Sequence, residues 1–367
     1  MANTDTSQAP APRGRTVLVF TAGDYTTASS KYRAFLLGKY LTQENPHIAW
    51  EIVEPSTKHI SELSYFRQVF AAFAQAKRLF WFPQHDVVYI QRAIYNKFIF
   101  TLLIIQNILR IRPSIFDFDD AIFIHSGFKT RLFIKTSSAT VVGSHHLETY
   151  AKRYAKRAIL IPTCVRYADY AYIDRSRQES GDVTIGWLGD GPAYLPELHF
   201  LAQVLRDLNA RTQNFRLLLI GARARPEITQ LFDFIPEERR EIVDYVDATT
   251  DADLVPYFSK MDIGVMPLQA NEWNKGKCAF KAVQYMASGA AVLASPVGEN
   301  SFLIDDLKTG ILASTKGEWV ASLLELIENA SLRQSFSAAA REHIRQRYSF
   351  ESQIPTLVTL LDPFPRS

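Results

Sequence analysis

The chain has 367 residues, 47% of them hydrophobic and 22% charged, with 41 Lys and Arg against 38 Asp and Glu for a net charge of +3. That length exceeds what one hydrophobic core organises and points to two α/β domains of similar size, while the composition excludes extended disorder beyond the first residues and the weak charge excludes nucleic acid as the evident partner. Two cysteines without CxxC spacing, Cys164 and Cys278, exclude a zinc site and a disulfide framework and fit a reducing compartment.

Residues 1–14 are polar and rich in Pro, Ala and Thr with no apolar core, which reads as a short disordered tail rather than a secretory signal and keeps the chain in the cytoplasm. From 15 to 165, short β-branched runs at Thr16–Phe20, Val87–Ile90, Ser114–Phe118, Ala139–Val142 and Ala158–Ile161 alternate with helical patterns at Lys31–Leu41, Ser61–Phe80, Asn96–Leu109 and His145–Lys156. This is the βαβ signature of a parallel sheet, a Rossmann-like N-terminal domain. Two stretches carry a membrane reading beside a core reading. Tyr65–Phe82 mixes aromatics with Arg67, Lys77 and Arg78 at helical spacing, which suits either burial of the aromatic side or peripheral contact with an anionic membrane face. Phe98–Leu109 is too short, and too interrupted by Gln106 and Asn107, to span a bilayer, so a buried helix is expected.

Residues 166–182 lose apolar periodicity and read as a linker. The pattern restarts over 183–345, with strands at Val183–Leu188, Arg216–Ile220, Ile242–Tyr245, Asp262–Met266 and Ala291–Ala294 and helices at Leu195–Asn209, Asp253–Ser259 and Phe280–Ser288. A helix at Phe350–Leu361 within the last segment, 346–367, is placed to cross back to the first domain.

The most informative stretch is Asn271–Gly289. It follows a strand, closes on a glycine suited to a helix stop, and carries Lys275, Lys277 and Lys281 where a helix starting near Lys277 or Cys278 has its positive dipole end. Cations there repel one another unless an anion sits among them, so a phosphate site is the first reading and a solvated basic helix end the second. Lys277, Lys281 and Gln284 fall on one face of such a helix. Further strand-end turns offer backbone approach to a ligand: Gly189-Asp190-Gly191 after the first strand of the second half, Gly221 and Tyr245 after the next two, and Gly298-Glu299-Asn300 after Ala291–Ala294. The spacing is not GxGxxG, which argues against a nicotinamide cofactor. In the first half, Phe116-Asp-Phe-Asp-Asp-Ala121 ends a strand with adjacent carboxylates, Asp119 and Asp120. They suit a substrate hydroxyl, mutual elevation of pKa, or helix capping, and no third ligand at useful spacing supports a metal.

The run Asp262–Pro267 with Lys275–Lys281, Gln284–Gly289 and Ala294–Gly298 resembles the donor half of group 1 (family 4) retaining glycosyltransferases with the GT-B fold. The resemblance covers most of the chain and is more specific in the second half. It implies two Rossmann-like domains facing each other across a deep cleft, acceptor side first, and a nucleotide diphosphate sugar as donor substrate with no further cofactor and no metal. The acceptor it implies is a glycan or a lipid-linked saccharide. Its acidic pair falls on Gly276 and Gln284, so both carboxylates are missing, and Glu272 or Asn274 is placed to supply part of the loss. Its usual Arg and Lys after the first glycine turn are also absent, with Lys277 and Lys281 as the substitutes. On the acceptor side it marks the loop Thr21–Arg33, with Gly23, Lys31 and Arg33, and a strand-end position near His125. A rival reading keeps the fold and donor binding but not turnover, as a scaffold protein.

Overall fold

The computed structural model describes residues 14–54, 70, 73, 77, 79, 85–92, 97–175, 182–246 and 251–364. The expected tail over 1–13, part of the linker (176–181) and most of the Tyr65–Phe82 stretch lie outside the described residues. Of that stretch, Phe70, Phe73 and Lys77 are exposed and Leu79 is buried.

The described strands form two parallel sheets of six strands each. The first runs in the order β2-β1-β3-β4-β5-β6, from β1 (Arg15–Phe20), β2 (Ile48–Val53), β3 (Val87–Gln91), β4 (Ser114–Phe118), β5 (Ala139–Val142) and β6 (Ala158–Leu160). The second runs β12-β11-β10-β7-β8-β9, from β7 (Val183–Leu188), β8 (Phe215–Ile220), β9 (Arg240–Val243), β10 (Ile263–Met266), β11 (Ala291–Ala294) and β12 (Ile311–Leu312). Every central strand is buried on both faces, as parallel strands covered by helices must be, which is why they read as continuous apolar runs. Contacts divide the chain into two compact units, residues 1–115 with 361–367, and residues 116–360; the division falls inside β4.

The second sheet is packed on both sides. One face carries Trp187, Phe215, Phe232, Trp319 and Phe336, and the other Phe258, Tyr285 and Met286. In the 1–115 unit, β3 is fully buried, β1 is buried except for Thr16, and Trp50 of β2 donates its indole N–H to Ala34 O at 3.0 Å. Arg15, buried at the start of β1, donates its guanidinium to the carbonyls of Leu361, Asp362 (3.3 Å) and Phe364 (3.0 Å), the stretch that ends the helix Phe350–Leu361.

The helix Lys97–Leu109 departs from the buried helix expected. It buries Ile99, Leu103 and Ile104, but it also buries Gln106 and Asn107 and turns Ile105, Ile108 and Leu109 outward. The reason lies at its end: Gln106 Oε1 accepts the Arg112 backbone N–H (2.8 Å) and Gln106 Nε2 donates to Asn107 Oδ1 (2.7 Å). This satisfied pair fixes the rotation of the last turn with its polar groups inward. No described helix is long and apolar enough to cross a membrane.

Candidate active site

In the second sheet the strand order reverses direction between β7 and β10, and open α/β sheets leave their ligand crevice beyond the carboxyl ends of two such strands. β7 runs into Gly189 and β10 into the segment that carries the lysines. The chain there forms a short helix, Glu272–Lys275, then breaks, with Ala279 left-handed at φ 53°, before the helix Phe280–Ser288. The helix therefore starts at Phe280 rather than near Lys277, and Lys277 lies in the break instead of on a helical face with Lys281. Tyr285, one turn on from Lys281, accepts the Leu188 N–H on its hydroxyl at 2.8 Å and so fixes this helix against the end of β7.

The two lysines nonetheless converge, on aromatic rings. Lys281 Nζ lies 3.2 Å from the centroid of the Tyr194 ring and 4.7 Å from that of Trp187. Lys277 Nζ lies 4.9 Å from the same Tyr194 ring and 5.6 Å from Trp273. A β-carbon on Gly189 would stand 2.7 Å from Lys281 Nζ, so only glycine leaves the ammonium this close to the turn. Desolvation lowers the Lys281 pKa well below the ordinary lysine range, and the neighbouring Lys277 charge lowers it further. Burial acts the same way on Lys277, but Tyr194, Asp120 and Cys278 outweigh it and its pKa is raised. Burial raises the Tyr194 hydroxyl against the opposing pull of Lys277. Among the described residues no carboxylate forms an ion pair with either ammonium. Two partly buried cations held on π faces leave a surplus of positive charge that an anion neutralises.

Lys275 does not share this environment, because it pairs with Glu272 at 2.6 Å at the surface. Asn274 is buried and donates to Glu197 Oε1 and Gln269 O, both at 2.9 Å. Neither Glu272 nor Asn274 is thus left over to replace a carboxylate at Gly276. That position has its own reason to be glycine: a β-carbon there would meet Ala121 Cβ at 2.6 Å and Ala121 N at 2.8 Å. Gln284 is buried and donates to Asp251 Oδ1 (3.2 Å) and Tyr170 OH (3.4 Å), so it faces inward rather than continuing the lysine face.

The remaining predicted positions sort by their partners. Asp119 is buried and Asp120 half-buried, with the Asp120 charge felt by Lys277 and Tyr194. His125 packs at 5.2 Å against Trp273. Gly191 donates its N–H to Gly221 O (2.8 Å), and Gly221, at φ 101°, sits where any β-carbon would strike Gly189 O. Glu299 is buried: its carboxylate accepts the His145 backbone N–H (2.9 Å) and contacts His145 Nδ1 (3.0 Å), while the His145 ring stacks on Phe302 at 4.1 Å. Burial raises the Glu299 pKa against these hydrogen bonds. Asn300 is buried and donates to Ser295 O at 3.0 Å, and Gly298 packs under Lys275 O. Glu299 and Asn300 thus tie their loop to His145 and Ser295, and Gly298 lies against the backbone of Asn274 and Lys275. In the 1–115 unit Gly23 donates its N–H to Ser30 Oγ at 3.1 Å, and Lys31 and Arg33 are buried, with Lys31 Nζ 5.3 Å from the Tyr32 ring.

Sequence reasoning missed Tyr194, Trp187 and Trp273, the aromatic seats of the two ammoniums, and Arg223. Arg223 comes from the turn after β8, pairs with Asp190 at 3.1 Å and stacks on Tyr245 at 4.1 Å, supplying a cation at the glycine turn. Its signal was present as Arg223-Ala-Arg225 directly after a strand-end glycine. No group of three or more His, Cys, Asp or Glu among the described residues is placed to hold a metal ion.

Two parallel sheets with interspersed helices and this crevice define the GT-B class of α/β fold, and solved structures agree. The chain is similar to sucrose-phosphate synthase from Thermosynechococcus elongatus, at 13% identity and TM-score 0.72 over 94% of this chain and 98% of that one. It is also similar to HepE of Anabaena in complex with UDP-glucose, at 13% identity and TM-score 0.69 over 95% and 100%. A third match is a glycosyltransferase from Rickettsia africae, at 13% identity and TM-score 0.66 over 95% and 98%. Residues 182–329, which hold the second sheet and its lysines, match the model of the family Glycosyl transferases group 1. No curated protein matches the sequence closely enough to add to this.

Proposed function

We propose that the protein transfers a hexose-type sugar from a nucleotide diphosphate sugar to a glycan or lipid-linked saccharide, in the cytoplasm and with retention of configuration. The observation that carries this reading is the pair of lysines on Tyr194 beside the Gly189 turn, neither of them in an ion pair with a carboxylate among the described residues. A diphosphate seated there meets Lys277, Lys281 and the backbone of the turn, and Arg223 lies at the rim through Asp190. The structures of HepE with UDP and with UDP-glucose show the same fold holding such a donor, which supports the class of ligand.

As the glycosidic bond breaks, charge develops on the leaving diphosphate, and the two lysines stabilise that charge more than they stabilise the intact donor. A donor phosphate oxygen takes the acceptor hydroxyl proton during front-side attack, so no side-chain nucleophile or metal is required. In this reading Asp120, whose charge acts on Lys277, orients the acceptor hydroxyl. Calorimetry with UDP, GDP and ADP on wild type and Lys281→Ala tests the reading: one nucleotide binds and the substitution removes it. Binding without turnover of any sugar conjugate moves the protein to the scaffold reading, and absence of binding by all three defeats the phosphate site.

A further inference from the structure

We infer that the outer face of the helix Lys97–Leu109 and the turn after it form a docking surface for an anionic phospholipid membrane. The last turn of the helix is built inside out. It keeps Gln106 at 0% and Asn107 at 4% exposure while showing Ile108 at 61%, Leu109 at 66%, Ile105 at 41% and, just beyond, Ile111 at 45%. Residues 105, 108 and 109 stand at i, i+3 and i+4, one continuous face, and a water-soluble surface gains nothing from presenting it. The two amides are already satisfied by each other and by the Arg112 N–H, so exchanging the faces would bury no additional polar partner.

Charge selects the occupant. From Val87 to Phe116 the sequence contains Arg92, Lys97, Arg110 and Arg112 and no Asp or Glu. Lys97 opens the exposed face and Arg110 closes it, both exposed, roughly 20 Å apart at helical rise. Arg112, half-buried behind Ile111, has Nε and Nη1 without a hydrogen-bond partner among the described residues. A second copy of the chain would bring cation against cation across a two-fold contact, whereas anionic headgroups meet the cations and acyl chains meet the isoleucines and leucine. Interfacial binding of this kind combines an apolar face with basic residues and needs no spanning segment.

The test is flotation of the full-length protein with phosphatidylglycerol-containing vesicles and with pure phosphatidylcholine vesicles. Wild type floats with the first and far less with the second, and salt weakens it. Ile108→Asp/Leu109→Asp, at exposed positions, loses binding at least tenfold, and Lys97→Glu/Arg110→Glu loses the preference for the anionic lipid. UDP calorimetry on the same preparations stays at the wild-type value, which separates this surface from the donor site. Equal flotation of wild type and Ile108→Asp/Leu109→Asp overturns the proposal, as does absence of wild-type binding. A dimer in light scattering that the same double substitution dissociates assigns the face to a second copy instead and overturns it as well.

Discussion

The two sheets each reverse their strand order once, at β1/β3 in the first and at β7/β10 in the second, and the crevices beyond these strand ends differ in one respect. In the first, Gln91 at the end of β3 is fully buried and satisfied: it accepts from Ser30 Oγ (2.9 Å) and from the Ala22 N–H (3.4 Å) and donates to Ser29 Oγ at 2.8 Å. In the second, two lysines rest on aromatic faces, neither ion-paired with a carboxylate among the described residues. Position at a topological switch point therefore does not by itself mark a ligand site. The state of the polar groups there distinguishes the two: Gln91 is held by its neighbours, although Thr21 Oγ1 at the end of β1 is buried without a hydrogen-bond partner among the described residues, whereas the second crevice gathers two lysines.

Substitutions that exchange the two conditions give the sharpest tests. Lys281→Ala and Lys277→Ala should each lower turnover on the order of a hundredfold, the size expected when a stabiliser of developing charge is removed, with thermal denaturation little changed. Wild-type rates in both variants would make the surplus charge irrelevant. Gln91→Ala should do the reverse, costing about 2 kcal/mol of stability by chemical denaturation while UDP affinity stays put, since it leaves buried groups unpaired in a scaffold. A loss of UDP affinity there would mean that the first crevice also serves the donor.

The depressed Lys281 pKa fixes the sign of a pH effect. Burial and the Lys277 charge lower the Lys281 pKa in the protein without donor and a bound diphosphate raises it, so between the two values binding takes up a proton and affinity falls several-fold as pH rises. Calorimetry in buffers of different ionisation enthalpy reads that uptake directly, and a pH-independent affinity would show that Lys281 stays charged throughout. Arg223→Ala is the smallest expected change, roughly fivefold in donor affinity, because an exposed ion pair and a surface stacking contact are worth about 1 kcal/mol or less.

Most of the architecture was legible because parallel strands are buried on both faces and read as unbroken apolar runs. Ser114–Phe118, Ala139–Val142, Val183–Leu188 and Ala291–Ala294 lie where the sequence places them. β2 escaped because it alternates, with Glu51 facing outward in IAWEIV, and β12 because two residues carry no period. The helix start was misplaced by a left-handed Ala279, a conformation that no residue preference announces for alanine. At the candidate site the lysines were legible as charges but their seats were not. Tyr194, Trp187 and Trp273 come from three separate segments, which only the tertiary fold gathers around Lys277 and Lys281.

The grip of Arg15 on Leu361, Asp362 and Phe364 joins positions separated by 346 to 349 residues. During synthesis the β1 guanidinium must wait for almost the whole remaining polypeptide before its acceptors exist. The 1–115 unit is thus closed only after the helix Phe350–Leu361 has emerged, and a product cut short before Leu361 leaves the Arg15 guanidinium without these acceptors.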